Sequence, residues 1–489
     1  MTTAARPGST FNSAAAWSTG SAATGQLIRF GLFVALSRLV SPTEFGLVAL
    51  AAILIELVGS VSDGGVSEAA IRHPTLSQRE ASTGFWMILG FGTGAAILSV
   101  GLAPVAALVF KTPSVAPIIV LMATTLLIAP LGSIHIARVT RELGFRKLAI
   151  WNLASNVVAG LVGIGLALKG FGVWALAARS VVSTAVLVLL AWRGSPWRPS
   201  FVIDRTAARA FLGLGFQLLG ARVVGQVNAR GVELIAGLLI APAAVGFLRL
   251  GAQCLNLLTQ LTIAPLTQIS MPLLARAQGE ASLYDVAVAK VARLSAIVIY
   301  PVFFGAMAIS SLAFPIVFGA HWSLSGLVMP ILCALAVPLQ INLLINAVLV
   351  AKGEGRLILK WTILQACIGL PLALIGGVFG LFPLVGLTVL RSYVMLPIGM
   401  TWLKRQAATP VANLIAPSLK PFVAALAMAG LVMGIKGVVA VWLEPRLALA
   451  VLIVSGVAIF ALLSLVLEPA LRQGLRSAWR TGTSGSPEP

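Results

Sequence analysis

Residues 31–52 read GLFVALSRLVSPTEFGLVALAA, and residues 231–252 read GVELIAGLLIAPAAVGFLRLGA. The two stretches share residues at a constant offset of 200: Gly31, Leu39, Pro42, Gly46, Leu50 and Ala52 return as Gly231, Leu239, Pro242, Gly246, Leu250 and Ala252. The offset then grows, to 208 where Val109-Phe110 returns as Val317-Phe318 and to 210 where Trp151 returns as Trp361. Loop insertions between two copies of one unit produce such a drift, so the chain contains an internal repeat.

The repeat is built from apolar segments. Hydrophobic residues make up 59% of the 489-residue chain and charged residues only 10%, a composition typical of a membrane protein. A helix needs roughly 20 residues to cross a hydrocarbon layer of about 30 Å. We predict fourteen such spans, at residues 13–36, 44–67, 83–110, 114–137, 148–168, 171–192, 209–238, 243–273, 289–317, 324–350, 357–379, 382–403, 418–440 and 446–467.

Basic residues are distributed unevenly between the loops. Of the 34 Lys and Arg residues, 23 lie in the tails or within five residues of the even-numbered connections, whereas five lie within five residues of the odd-numbered connections. This asymmetry is the positive-inside pattern of an inner-membrane protein, and it places both termini in the cytoplasm. The net charge of +20 therefore indicates topology and not nucleic-acid binding.

The repeat and the spans together predict the architecture. Six spans separate the two copies, an even number, so both copies have the same orientation in the membrane. We predict an all-α polytopic membrane protein of about 14 transmembrane helices: two pseudo-symmetric six-helix lobes around a central cavity, followed by two C-terminal helices. The predicted parts are a cytoplasmic tail 1–12, an N-lobe 13–205, a C-lobe 206–405, the last two helices 406–470 and a cytoplasmic, disordered tail 471–489.

Polar residues inside the spans form stripes at helical spacing. The stripes comprise Gln26 and Arg29 in span 1, Glu56, Ser60, Asp63 and Ser67 in span 2, Arg222, Gln226, Arg230 and Glu233 in span 7, and Arg249, Gln253, Asn256 and Gln260 in span 8. Spans 1 and 7, and spans 2 and 8, are equivalent in the repeat. The stripes are therefore expected to face a hydrated cavity between the two lobes.

Ionisable groups within a span cost roughly 2.5–3.5 kcal/mol each on insertion scales, so they normally face water, a partner or a substrate. The deep arginines outnumber the deep glutamates, and the planar Arg fork suits phosphate. We therefore expect an anionic, phosphorylated substrate. The predicted pyrophosphate and sugar site consists of Arg29, Gln26, Arg222, Gln226, Arg230, Arg249, Gln253 and Asn256, with Glu56 and Asp63 as candidates for ion coupling.

A purely structural interpretation of the same residues stays open. Arg230 could pair with Glu233, and Arg29 with Glu56, while the amides hold helices together at about 0.6 kcal/mol apiece. Asp63 lies beside Gly64-Gly65, where it could cap a helix break, bind a cation or reach cytoplasmic water.

The sequence offers little for catalysis. The three cysteines, Cys254, Cys333 and Cys367, lie in predicted spans without CxxC or Cys/His spacing, so neither a disulfide framework nor a metal site is expected. The predicted outer connections are too short for a catalytic domain. We expect no enzyme activity and no cofactor.

Several blocks carry a family resemblance. Residues 35–73 (ALSRLVSPTEFGLVALAAILIELVGSVSDGGVSEAAIRH), 141–152 (RELGFRKLAIWN), 261–278 (LTIAPLTQISMPLLARAQ) and 315–336 (PIVFGAHWSLSGLVMPILCALA) resemble bacterial polysaccharide exporters of the Wzx or colanic-acid-exporter type. These belong to the multidrug/oligosaccharidyl-lipid/polysaccharide exporter superfamily. The resemblance implies fourteen helices in two lobes, an inner-membrane location, and translocation of polyprenyl-pyrophosphate-linked oligosaccharide between leaflets. A polysaccharide polymerase or co-polymerase is the expected protein partner.

Three other functions are weighed against this one. A peptidoglycan-precursor flippase of the lipid II type is the strongest alternative, because it would have the same cationic cavity. A drug/cation antiporter is expected to have an acidic, aromatic pocket, whereas the deep charges here are mostly basic. A membrane glycosyltransferase needs a long extramembrane segment with catalytic Asp, Glu or His, and the only histidines are His73, His135 and His321.

Overall fold

A computed structural model describes residues 25–72, 76–276, 281–351, 355–407 and 412–467. Apart from one short 3-10 turn, all regular structure in these ranges is α-helical, which confirms the all-α prediction. The helices are α1 (25–39), α2 (Pro42–Ser62), α3 (Val66–Arg72), α4 (Gln78–Val109), α5 (Val115–Arg141), α6 (Phe145–Leu168), α7 (Val173–Gly194), α8 (Arg205–Leu239), α9 (Pro242–Arg276), α10 (Ala281–Phe318), α11 (Ser323–Cys333), α12 (Ala336–Ala351), α13 (Gly355–Val378), α14 (Leu381–Ala407), α15 (Ala412–Trp442) and α16 (Pro445–Leu467).

The chain is a polytopic membrane protein. Ten of these helices are long and apolar enough to cross a membrane, namely α2, α4 to α7, α10 and α13 to α16. The pair α11 and α12, bent by 47° at its break, would make an eleventh span. α1, α8 and α9 coincide with three further predicted spans. Only 15 residues of α1 are described, and α8 and α9 carry the charged stripes. The total of fourteen stays a prediction.

The second predicted span is interrupted. The sequence predicts one helix over 44–67, but α2 ends at Ser62 and α3 begins at Val66. Between them Gly64 and Gly65 have φ values of +57° and +72°, a left-handed conformation that a side chain disfavours. Asp63 is the C-cap residue of α2. The break therefore places Asp63 at the junction of α2 and the short helix α3.

The start of α2 follows directly from its sequence. Ser41 is the N-cap residue and Glu44 lies three positions further along, so each side chain accepts a hydrogen bond from the other's backbone N–H, in a capping box. Pro42 occupies the first helical turn, where a backbone N–H has no partner within the helix, so the N–H that proline lacks is not needed there. These local signals fix the residue at which α2 begins.

The chain divides into two compact units, the first ending at Arg249 and the second beginning at Leu250. The core of the first unit includes Leu36 of α1, Ile118 of α5 and Ala175 of α7. In the second unit, Phe303 of α10 and Met428 of α15 lie in one buried cluster. This division falls within α9. The predicted lobe boundary at 205/206 stays a prediction, and the predicted tails lie outside the described residues.

Two repeat-related glycines bring α2 and α9 into backbone contact within the first unit. A Cβ atom added to Gly46 would lie 1.7 Å from the carbonyl oxygen of Pro242, and one added to Gly246 would lie 2.1 Å from the carbonyl oxygen of Pro42. Close approach of helix backbones requires such small residues. The two glycines are 200 positions apart, and each meets the proline at the start of the other helix. Such a reciprocal contact is expected between two copies of one unit around a two-fold axis.

Candidate functional site: ion pairs of the first unit

Four charged side chains from three helices form a network. Glu56 lies on α2, Arg230 and Glu233 lie on α8, and Arg249 lies at the start of α9. Arg230 donates from Nε and Nη2 to the two carboxylate oxygens of Glu56, at 2.6 and 3.3 Å. Arg249 donates from Nη1 to Glu233 Oε2 at 2.7 Å. Two arginines and two glutamates balance, so the network carries no formal net charge.

Weaker contacts cross-link these two pairs. Arg230 Nη1 lies 3.4 Å from Glu233 Oε1, and Arg249 Nη2 lies 3.5 Å from Glu56 Oε1. The amide of Gln226, one helical turn before Arg230, donates to Glu56 Oε2 at 2.9 Å. Each arginine therefore contacts both glutamates, one closely and one at a longer distance. Such an arrangement can exchange partners with small side-chain movements.

Exposure differs sharply within the network. The Glu233 side chain is 6% exposed, whereas those of Glu56, Arg230 and Arg249 are 32%, 26% and 21% exposed. A buried carboxylate is costly unless it is paired, so Glu233 depends on its arginine partners. The other three groups keep part of their surface free for water or a ligand.

A second cluster surrounds the break between α2 and α3. Arg222 of α8 donates from Nη2 to Glu68 Oε1 at 2.5 Å and lies 3.5 Å from Asp63 Oδ2. The Ser67 hydroxyl donates to Asp63 Oδ1 at 2.5 Å. The Gly64-Gly65 turn allows both carboxylates to reach one guanidinium. One arginine facing two carboxylates leaves this cluster with a formal charge of −1.

Arg29 is bound differently. Its Nε and Nη2 atoms both donate to Gln26 Oε1, at 3.2 and 2.6 Å, across one turn of α1. Among the described residues, no carboxylate lies within ion-pair distance of Arg29. It is therefore a partly buried guanidinium held by a neutral amide, with further N–H donors available.

Of the two ion pairs in the structural interpretation, Arg230 with Glu233 is present at 3.4 Å, whereas Arg29 with Glu56 is not found among the described residues. Glu56 pairs with Arg230 and not with Arg29, and Glu233 takes Arg249 as its close partner. Glu68, which the sequence analysis did not single out, is the close partner of Arg222. Asp63 and Glu68 give the four stripe arginines, Arg29, Arg222, Arg230 and Arg249, an equal number of carboxylates. Among these four, Arg29 is the one without an ion pair in the described structure.

Two predicted residues lie in the second unit. Gln253 and Asn256 are exposed on α9, and neither makes a side-chain hydrogen bond to another described residue. Their amides are therefore not used to hold helices together in the described structure.

Among the residues that the structure describes, no group of three or more His, Cys, Asp or Glu side chains is placed to hold a metal ion.

Known proteins resemble this chain in sequence over most of its length. The succinoglycan biosynthesis transport protein ExoT of Rhizobium meliloti (strain 1021) is 22% identical over 406 residues, which cover 82% of each chain. The lipopolysaccharide biosynthesis protein WzxC of Escherichia coli (strain K12) is 25% identical over 374 residues, covering 75% of each chain.

Solved structures share the fold. The lipid II flippase MurJ in its inward closed conformation matches with a TM-score of 0.75 at 15% identity, over 93% of this chain and 99% of that chain. An inward-facing multidrug resistance MATE family transporter of the MOP superfamily matches with a TM-score of 0.59 at 16% identity, over 79% of this chain and 94% of that chain. The family model described as polysaccharide biosynthesis protein matches residues 35–326, more than half of the sequence. This chain therefore belongs to the polysaccharide biosynthesis protein family.

Proposed function

We propose that the protein is a flippase that moves polyprenyl-pyrophosphate-linked oligosaccharide repeat units from the cytoplasmic to the periplasmic leaflet, for exopolysaccharide, capsule or lipopolysaccharide assembly. The observation that carries the proposal is the set of partly exposed charged and amide side chains on α1, α2, α8 and α9 of a membrane protein in this family. A sugar head group brings hydroxyls that cannot stay unsatisfied in hydrocarbon. Polar side chains within the membrane supply their partners.

Arg29 is the first anion-binding group in this proposal. Its two hydrogen bonds both go to one amide oxygen, so a pyrophosphate competes only with a neutral partner. Charge-assisted Arg–phosphate bonds are about twice as strong as neutral ones. Gln26, released from Arg29, can then hydrogen-bond a sugar or a phosphate oxygen.

The paired arginines take part by exchanging partners. Arg222, Arg230 and Arg249 each have one close carboxylate and one at 3.4–3.5 Å. A pyrophosphate that approaches can replace the longer contact while the shorter one keeps the guanidinium oriented. Gln226, Gln253 and Asn256 offer amides to the sugars, and Glu56 and Asp63 stay candidates for ion coupling.

Transport in this proposal needs no covalent step. The two repeats provide alternating access, and the polar side chains lower the barrier to the head group. The membrane potential assists, because moving one negative charge outward across 100 mV is favoured by roughly 2.3 kcal/mol. In this proposal the protein lies in the inner membrane with both termini in the cytoplasm. It works together with a polysaccharide polymerase or co-polymerase.

Deleting the gene in its native host tests the function. Lipid-linked intermediates are extracted and analysed by mass spectrometry, with a plasmid-borne wild-type copy as the control. We expect an oligosaccharide repeat unit on a polyprenyl pyrophosphate to accumulate, and the plasmid to remove it. Accumulation of lipid II instead would favour the alternative function, a peptidoglycan-precursor flippase. The fold that this chain shares with the lipid II flippase MurJ is the reason to test that alternative. Unchanged intermediates would contradict both functions.

A further inference from the structure

Helices α1 and α6 pack side by side in the first unit. A Cβ atom added to Gly25 of α1 would lie 3.8 Å from Leu153 Cδ1, and one added to Gly160 of α6 would lie 2.7 Å from Leu32 Cδ1. Each contact joins residues 128 positions apart, so the two helices run in the same direction. Arg29 of α1 is therefore level with positions 156 and 157 of α6.

Arg29 and Asn156 lie on the facing sides of these two helices. Arg29 stands between the two contact residues of α1, four positions after the first and three before the second. Asn156 stands between the two contact residues of α6, three positions after the first and four before the second. Residues three and four positions apart share one face of a helix. The fold therefore brings an amide of α6 to the side that faces the helix of Arg29.

Helix α6 keeps two amides accessible at membrane depth. Asn156 is partly exposed, and Asn152, one turn earlier, is exposed. Asn156 lies nine residues after Lys147, an exposed cation in the first turn of α6, and is therefore about 14 Å from it along the helix axis. A cation at the end of a span lies at the membrane surface, so Asn156 is close to the middle of a hydrocarbon layer about 30 Å thick. Hydrocarbon offers no hydrogen-bond partner at that depth.

The lipid-facing side of α6 lies elsewhere. Leu161 and Leu168 are 60% and 70% exposed, which is typical of side chains that face lipid. At about 100° per residue, they lie roughly 120–140° around the helix from Asn156. The amides are instead on the side that packs against other helices further along, at Gly160 and Gly163. Their exposed surface therefore faces a gap between helices.

Both amides have hydrogen-bonding capacity to spare. Each donates from Nδ2 to a carbonyl oxygen of its own helix, Asn152 to Leu148 at 2.8 Å and Asn156 to Asn152 at 2.7 Å. Neither carboxamide oxygen accepts a hydrogen bond from another described residue. Each side chain therefore still offers an acceptor and a second N–H donor. Hydroxyl groups, which both donate and accept, match this pair.

The groups on the two helices select the ligand. Arg29 offers a cation to phosphate, but a phosphate has no hydrogen to donate to the carboxamide oxygens of Asn152 and Asn156. A hydrocarbon chain would leave both amides without partners. In a polyprenyl-pyrophosphate-linked oligosaccharide the first sugar is attached directly to the pyrophosphate. A ligand whose pyrophosphate binds Arg29 therefore brings sugar hydroxyls to the neighbouring helix.

We propose that Asn152 and Asn156 form a subsite for this first sugar. The inference rests on the proposed function, and it adds α6 to a site so far built from α1, α2, α8 and α9. The two asparagines act on the sugar, whereas Arg29 acts on the pyrophosphate.

Two ligands separate the sugar contact from the phosphate contact. One is the lipid-linked oligosaccharide extracted from the gene-deletion strain, and the other is undecaprenyl pyrophosphate, which carries no sugar. Binding of each to the purified protein is measured by native mass spectrometry. Asn152→Leu and Asn156→Leu should each weaken binding of the first ligand about 2- to 12-fold, the loss of one hydrogen bond, and leave the second unchanged. Arg29→Ala should weaken both.

A control variant and thermal unfolding exclude a structural defect. Thr401→Val is the matched control, because Thr401 is an exposed threonine of α14 that also bonds its own helix. It should change the affinity for neither ligand. Both asparagine variants should unfold at the wild-type temperature, because each amide bonds only its own helix in the described structure.

Photo-crosslinking in the native host tests occupancy. A benzophenone amino acid replaces Asn152, or Leu161 on the lipid-facing side of the same helix as the matched control. After irradiation, the purified protein is analysed by mass spectrometry. We expect adducts that contain hexose or hexosamine masses at position 152, and lipid adducts without sugar at 161. Lipid-only adducts at 152, no adduct at 152, or equal sugar adducts at both positions would overturn the proposal.

The outcomes distinguish this subsite from the function itself. If both asparagine variants weaken the two ligands equally, or weaken neither, the sugar subsite is refuted while the flippase proposal stands. If the wild-type protein binds neither ligand, the flippase proposal fails. Selective weakening of the sugar-bearing ligand at unaltered thermal stability, together with sugar adducts at position 152, would establish the subsite.

Discussion

Changing Arg249 to Gln should destabilise the protein by about 3 kcal/mol. The reason is Glu233, whose side chain is only 6% exposed and whose close partner is Arg249, at 2.7 Å. Removing one partner of a buried ion pair typically costs about 3–5 kcal/mol, because the other charge stays buried. We expect the lower end of this range, because Arg230 stays 3.4 Å from Glu233 and the Arg249 side chain is 21% exposed.

A double-mutant cycle measures this pairing directly. Glu233→Gln/Arg249→Gln removes both charges, so it should recover most of the loss, with a coupling energy of about 2 kcal/mol. Arg29→Gln and Glu56→Gln form the matched control cycle, which should be additive within about 0.5 kcal/mol because Arg29 bonds Gln26. The assay is equilibrium unfolding of the purified variants in mixed micelles, followed by tryptophan fluorescence.

One pattern of results would refute the reasoning. If the Arg29 and Glu56 cycle gave more than about 1 kcal/mol of coupling while the Glu233 and Arg249 cycle gave none, the pairing would be the one that the sequence suggested. Helix α1 would then present Arg29 to α2, and the proposed anion site would lose its uncompensated charge.

Three further predictions concern topology, transport and packing. A cysteine at Ala320 should react with an impermeant thiol reagent added outside the cell, whereas one at Ser77 should not; external labelling of Ser77→Cys would contradict the predicted topology. Arg29→Ala should cut polysaccharide export strongly at an unchanged protein level, and Arg29→Lys should restore only part of it, since an ammonium lacks the bidentate fork; wild-type export from Arg29→Ala would argue against the anion site. Gly46→Ala should lower the free energy of unfolding by about 1–3 kcal/mol, because the new Cβ would meet a backbone oxygen at 1.7 Å. Gly90→Ala is the control, because its Cβ would meet no atom within 4 Å, and it should be neutral or stabilising. Equal effects of the two substitutions would count against the close crossing of α2 and α9.

The fold could be predicted in outline because its signals are local and repeated. Apolar runs of about 20 residues specify spanning helices whatever their neighbours are. The periodicity also identified α8 and α9 as helices that carry charge. The break at Gly64-Gly65 was harder to place, since a glycine pair is common in membrane helices and only φ values of +57° and +72° distinguish a turn from a continuous helix.

The candidate site could be predicted residue by residue but not contact by contact. Helical spacing assigns Glu56, Arg230 and Arg249 to polar faces, yet it contains no information about which faces meet. The suggested pairs were therefore Arg230 with Glu233 and Arg29 with Glu56, 3 and 27 positions apart, whereas Arg230 and Glu56 are 174 positions apart. Glu68 was missed because it lies one residue beyond the predicted span 44–67, and because a stripe at 100° per residue assumes an unbroken helix, whereas the turn at Gly64-Gly65 changes that angle.

The contact between Gly46 and Gly246 limits how mutations there can be repaired. In most packed interfaces a larger side chain on one helix can be offset by a smaller one on the other, so second-site suppressors arise. Here the atoms that a side chain at Gly46 would strike belong to the backbone carbonyl of Pro242, and those facing Gly246 belong to the carbonyl of Pro42. No substitution removes a carbonyl group. A genetic screen for suppressors of Gly46→Ala should therefore yield changes that shift the start of α2 or α9, and none that simply reduces a facing side chain.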